Sequence, residues 1–301
     1  MGEFFARNLM ILYKYCCPKR LEPLKDQTLR ITQFNQLNDP FDCLPVFSLQ
    51  EDETAREEAW QHCRQGIFEK FKEIEGKGEI TGLAFQDFVK RVIPNLEKET
   101  KERLSAPPTD DGWSLEVNLS MQATMSKKHG VVCLSKSPDS LLMWSHYADQ
   151  HKGYVIGIDP CELELPLAAE ATVGRFRSVN YQLDRVPSNP RRNDFDFLYA
   201  KSPHWAYEEE WRLVLRLNAC RNSPTPSDIW VRDFGAQNLR EIVVGFRAKD
   251  ADLLREVARI KSSMPSVKIR RARPSAIHHS MILSDEHKDW NEINAGTTWT
   301  R

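Results

Sequence analysis

Three consecutive carboxylates, Glu208, Glu209 and Glu210, stand at the mouth of WAYEEEWRLVLRL, residues 205–217, a run that otherwise reads as a buried strand. Side chains of an extended chain alternate between faces, so Glu208 and Glu210 fall on one side and Glu209 on the other. Trp211, Leu213, Leu215 and Leu217 share one parity, and Arg212, Val214 and Arg216 share the other. Two acids on one side of a strand entrance can divide labour: one holds a hydroxyl or stabilises developing positive charge, and the other works as a base.

Two further constellations carry chemistry. Asn38, Asp39, Pro40, Phe41 and Asp42 form a tight turn in which Asn and Asp side chains can bond nearby amides and Pro40 fixes a dihedral angle. Capping is one role for such a turn. In another, Asp39 or Asp42 holds a ribose hydroxyl, a substrate cation or an arginine. In MWSHYADQHKG, helical spacing brings Met143 to Tyr147 and Trp144 to Ala148. Trp144, His146 and Tyr147, clustered before a strand, pack as aromatics or stack on a base or a nicotinamide ring. His146 and His151 are five apart rather than four, and no HExxH occurs, so no zinc protease and no protein-bound metal is expected. No GxGxxG, GxxxxGK[ST] or GxSxG is present. Arg191, Arg192, Arg270, Arg271 and Arg273 offer a basic rim for phosphates or ordinary solvated surface.

The elements that must position these groups follow from periodicity. Met10 to Tyr15, Thr28 to Gln33, residues 131–135, 153–159, Thr172 to Tyr181, Trp211 to Leu217, Glu241 to Phe246 and Ser266 to Arg271 read as strands. In the second of these, Leu29 and Ile31 alternate with Arg30 and Thr32. Ser137, Pro138 and Asp139 open a short helix, and another is expected from Asp250 to Ser262. Between about residues 51 and 128 the pattern turns helical: an amphipathic helix ending at Gly76, a second from about Ala84 to Leu104, and a third from Trp113 to Lys127. The expectation is a single α+β domain over 1–301, a curved mixed or antiparallel sheet with flanking helices. It carries a helical insertion at about 51–128 and an irregular tail at about 278–301. The 301 residues hold 42 Lys plus Arg against 43 Asp plus Glu, which gives no global field toward nucleic acid or an anionic membrane. Seven cysteines without a CxxC pair, and no long apolar span, lead us to expect a soluble, cytoplasmic protein with reduced thiols.

LYKY at 12–15, QFNQLNDPFDC at 33–43, LSKSPDSLLMWSHYADQHKGYVIGID at 134–159 and WAYEEEWR at 205–212 occur in an order that resembles the bacterial domain-of-unknown-function family 2971. The chain departs from that pattern in carrying NQL ahead of NDPFD. More distantly, the order is similar to the ADP-ribosyltransferase fold, whose catalytic residues come from two early strands and a glutamate on a late one. That resemblance implies NAD as substrate. Lys14 or Tyr15 would occupy the first position, Ser135 or a neighbouring aromatic the second, and Glu208 or Glu210 the third, with Trp144 or Tyr147 near the nicotinamide. On this reading Glu210 is the catalytic acid and Glu208 orients the acceptor. Asn38, Asp39 and Asp42 shape the pocket, and Arg212 positions a carboxylate or phosphate. The protein would be an ADP-ribosyltransferase or NAD glycohydrolase, an effector in a toxin or anti-phage defence system. Its acceptor would be an unknown protein or nucleic acid, and residues 51–128 would bind a protein partner. Two alternatives stand beside it: a Mg2+-dependent nuclease using Asp39, Asp42, Glu208 and Glu210 as ligands, and a noncatalytic sensor or interaction module.

Overall fold

A computed structural model of the protein describes residues 10–47, 49–50, 52–78, 82–110, 112–164, 174–188, 195–223 and 229–285. The chain begins with β1 (Leu12–Cys16), α1 (Glu22–Lys25), β2 (Thr28–Gln33) and β3 (Val46–Phe47). Four helices follow: α2 (Glu53–Gly76), α3 (Gly82–Arg91), α4 (Ile93–Ser105) and α5 (Gly112–Ser126). Then come β4 (His129–Ser135), α6 (Leu141–Tyr147), β5 (Tyr154–Ile158), β6 (Phe176–Ser178), β7 (Asn180–Tyr181), β8 (Pro187–Ser188) and β9 (Ala200–Lys201). The remainder holds β10 (Glu210–Arg216), β11 (Arg221–Asn222), β12 (Trp230–Asp233), β13 (Leu239–Val244), α7 (Ala251–Ser263), β14 (Lys268–Pro274) and β15 (Met281–Asp285). The fold is α+β, as expected. The described residues fall into two compact units, one drawn from 1–43, 123–184 and 199–301, the other from 44–122 and 185–198.

The first unit is built on a large mixed sheet in the order β11-β12-β2-β4-β1-β5-β13-β14-β15, with β10 on β4 and β6 on β10. Its described pairs are antiparallel except β13 with β14, which α7 joins as a crossover that packs Leu253, Val257 and Ile260 onto the sheet. That face carries the larger core, including Leu12, Leu29, Ile31, Val132, Leu134, Leu213 and Leu215. Tyr15, Met143, Trp144, Val155 and Val243 form the core of the opposite face, where α6 lies. The HKG segment has a steric reason. Asp149, Gln150 and His151 take positive φ angles of 47°, 55° and 68°, and a Cβ at Gly153 would run into the Cys16 carbonyl oxygen.

Strands also lie where none was expected, among them β12, which pairs with β2, and β15, which pairs with β14 inside the tail read as irregular. Both are short edge or near-edge segments with mixed polarity, so their pairing comes from neighbours rather than from their own pattern. The strand expected over Thr172 to Tyr181 is described only from residue 174, as β6 and β7.

In the second unit, α2 starts where the Asp52 side chain accepts the Ala55 amide. The helix expected from Ala84 to Leu104 is two, α3 and α4, because Pro94 in the first turn of α4 has no amide to continue the preceding helix. Leu49, Ala55 and Leu104 make a small core, and β3 pairs in parallel with β8. Among the described residues no helix is long and apolar enough to cross a membrane.

Candidate functional site

Register within the first unit creates the site. β4 pairs with β10 along its whole length, His129 against Arg216 through Ser135 against Glu210. Its other edge is shared: β2 meets it at Gly130 and Val131, and β1 at Ser135. Residues 132–134 therefore have no strand partner on that edge among the described residues, and the Lys14 ammonium satisfies the exposed Cys133 carbonyl at 2.8 Å. The sheet forks over β4. A cleft of about 380 Å3 opens there, walled by β1, β2, the end of β4, α6 and the entrance of β10.

At the closed end of the cleft lies an ionic cluster that the EEE run builds. The turn Pro203–Glu208 stops at Glu209, whose φ of 43° and ψ of 50° are left-handed, and β10 starts at the next residue. Glu209 is exposed, while Glu208 and Glu210 are buried. The expected side-sharing of Glu208 and Glu210 is met by this kink rather than by an extended chain.

Glu210 and Arg212, on one face of β10, make a bidentate pair at 2.7 and 2.8 Å. Arg212 is fully buried and also donates to Asp42 at 2.6 Å. Asp42 is aimed inward by its turn, where Asp39 accepts the Phe41 amide and the Asp42 amide bonds the Asp39 carbonyl. Lys201, from β9, bridges Glu208 at 2.6 Å and Glu210 and Asp42 at 3.3 Å each.

Three carboxylates face two cations, so full ionisation leaves one negative charge in excess. Burial raises the pKa of Glu208 against the pull of Lys201, and that of Asp42 against the pull of Arg212. Burial also acts to raise Glu210, but the Arg212 charge and hydrogen bonds outweigh it and hold Glu210 at about 2. Lys201 is desolvated too, yet its carboxylate partners drive its pKa upward, so it stays charged. The excess charge, and any proton that offsets it, therefore belongs to Glu208 and Asp42.

Glu208 is the member that reaches the aromatic wall. Its Oε1 accepts from the Tyr147 hydroxyl at 2.6 Å, and Tyr147 in turn accepts from the Asn38 amide at 3.1 Å. Ser135 anchors the same residue from behind, its Oγ donating to the Glu208 carbonyl at 2.7 Å. His146 stands beside Tyr147 with Nδ1 3.0 Å from the Tyr207 hydroxyl.

The three motif segments thus meet in one place. Lys14, Tyr15, Asn38, Asp42, Ser135, His146, Tyr147, Glu208 and Glu210 all border the cleft. Three expected residues do not. Asp39 is spent on its turn, Arg212 lies behind the acids it pairs, and Trp144 is sealed in the core with its indole N–H on the Pro138 carbonyl. Of the arginine rim, Arg270 pairs with Glu241, Arg271 donates to the Phe246 carbonyl and Arg273 does not border the cleft, while Arg191 and Arg192 lie outside the described residues. Among the described residues no group of three His, Cys, Asp or Glu side chains is arranged to hold a metal ion.

Lys201 was not anticipated, for a single lysine seven residues before the acids carries no periodic signal. Arg30 and Thr32, also on the cleft wall, had one: their alternation with Leu29 and Ile31 puts them on the face opposite the core.

The fold and site define an α+β protein with a forked sheet and an acid cluster at the base of the fork. Residues 143–213, from α6 to β10, match the family described as protein of unknown function (DUF2971), the family that the motif order resembles. No curated protein and no solved structure matches the chain.

Proposed function

We propose that the cleft binds NAD and that the protein is an ADP-ribosyltransferase or NAD glycohydrolase in which Glu208, rather than Glu210, is the acting carboxylate. The observation that carries this is the placement of Glu208, held by Lys201 through one oxygen and facing Tyr147 and the cleft with the other. Glu210 is spent on Arg212. In the reaction, the bond between ribose C1′ and the nicotinamide nitrogen breaks and its electron pair leaves with nicotinamide. Glu208 accepts a hydrogen bond from a ribose hydroxyl and stabilises the positive charge that develops on the sugar. An acceptor oxygen or nitrogen, or water, then bonds C1′ and releases its proton. Tyr147 and Lys201 keep the carboxylate oriented throughout.

The nuclease alternative needs Asp39, Asp42, Glu208 and Glu210 as metal ligands, but Asp39 caps a turn and the other three are bonded to Lys201 or Arg212. Motif resemblance supports the setting, a toxin or anti-phage defence effector acting on a protein or nucleic acid. The seven free thiols fit a cytoplasmic location. The exposed Leu115 and Leu119 on α5 fit a protein partner for residues 51–128.

Incubating the protein with labelled NAD and cell extract tests the reading. Wild type should transfer or cleave the label, and Glu208→Gln should lower the rate about 100-fold, the scale of losing one preorganised electrostatic contact. Glu210→Gln should lower folding stability instead. A wild type without turnover, or an equally active Glu208→Gln, counts against the enzyme and favours the noncatalytic module.

A further inference from the structure

The geometry points to a diphosphate subsite on the β1–β2 side of the cleft, formed by Lys14, Arg20, Arg30 and Thr32. It rests on the NAD reading above and deepens it by naming the residues that hold the diphosphate of such a ligand.

The fork is what makes the subsite. Lys14 alternates in β1 with Tyr13 and Tyr15, so on an unbroken sheet it would share the side of Leu12 and Cys16, both members of the larger core. Because β1 and β2 part over β4, the Lys14 ammonium instead lies in the cleft and spends one N–H on the Cys133 carbonyl. Two donors are left. Arg20, just past β1, is exposed and its guanidinium makes no hydrogen bond or ion pair among the described residues. Across the gap, Arg30 is braced by the Gln36 side-chain oxygen at 2.6 Å, and Thr32 follows it on the same face of β2.

The acids that border the cleft, Asp42, Glu208 and Glu210, are engaged by Lys201 and Arg212. Neither Lys14 nor Arg20 forms an ion pair among the described residues, so both keep donors open to an incoming anion. One compact cleft therefore offers a cationic wall with planar guanidinium donors, suited to phosphate oxygens, and an acidic base suited to sugar hydroxyls. A nucleoside diphosphate matches both ends, whereas a nucleoside alone uses one.

Titration calorimetry with ADP, inorganic pyrophosphate and adenosine tests the assignment on the full chain. Wild type should bind ADP and pyrophosphate, and adenosine at least about tenfold more weakly. Lys14→Met and Arg20→Met should each weaken ADP about tenfold, the scale of one charge-assisted hydrogen bond, and leave adenosine unchanged. Arg20 is exposed, so its variant keeps the test valid if Lys14→Met folds poorly. Equal binding of ADP and adenosine, or unaltered ADP affinity in both variants, overturns the subsite. The NAD reading fails separately: ADP binding that depends on Lys14 and Arg20 without NAD turnover keeps the subsite and removes the reaction. Equal NAD turnover in wild type and both variants does the reverse.

Discussion

Replacing Lys201 by Met removes the cation that, among the described residues, touches Asp42, Glu208 and Glu210 together, while keeping most of the side-chain volume. Its ammonium lies 2.6 Å from Glu208 and 3.3 Å from each of the others. At an effective dielectric constant near ~20, a pair at such separations is worth about 5–6 kcal/mol. Desolvation of the ions takes back several kcal/mol apiece, and breaking a buried pair by deleting one partner leaves a measured loss of about 3–5 kcal/mol. The variant has an escape, because Glu208 and Asp42 can take up protons, and burial already raises both. A carboxyl whose folded pKa exceeds its unfolded value weakens the fold once ionised. The penalty is absent below the unfolded value of about 4 and grows as pH rises through the folded one. Glu210, held at about 2, has the opposite sign and loses its contribution only under stronger acid. Urea unfolding should therefore show a loss of about 3–5 kcal/mol near roughly pH 8 and a distinctly smaller one near roughly pH 5. A loss below about 1 kcal/mol at the higher pH, or the same loss at both, would refute the role of Lys201 as the neutraliser of a buried acid cluster.

Other perturbations follow from the same geometry. Tyr147→Phe removes the hydroxyl that bonds the charged form of Glu208, an interaction worth about 1.5–3 kcal/mol. The acid limb of the NAD-turnover profile should move to higher pH, and an unmoved limb would separate Tyr147 from that titration. Gly153→Ala drives a methyl group into the Cys16 carbonyl. It should cost about 1–3 kcal/mol or more in urea unfolding, and wild-type stability in this variant would contradict the close approach of the turn to β1.

Local pattern reached far in this chain. Alternation in β2 and β10 and short apolar runs at β4, β5, β13 and β14 located these strands to within a few residues, and the helical stretch after residue 51 followed from its period, because burial is announced by local spacing and composition. Local pattern failed at β12 and β15, short strands whose partners supply what their sequences lack, and at Pro94, where one proline divides a continuous apolar stripe.

The motifs for the cleft were legible as residue types: an Asn-Asp turn, an aromatic helix and a run of glutamates. Which glutamate reaches the aromatic wall was not. That choice depends on Glu209 turning left-handed, on Lys201 arriving from another strand, and on Arg212 claiming Glu210 and Asp42 from behind. Sequence alone therefore determined the elements and the chemical inventory, since both are local properties of spacing and side-chain type. Tertiary pairing decided the fork over β4 and the division of roles among the acids. Strand register and the sharing of a few buried cations link residues far apart in sequence, Asp42 and Arg212 by 170 positions, and no local pattern encodes such contacts.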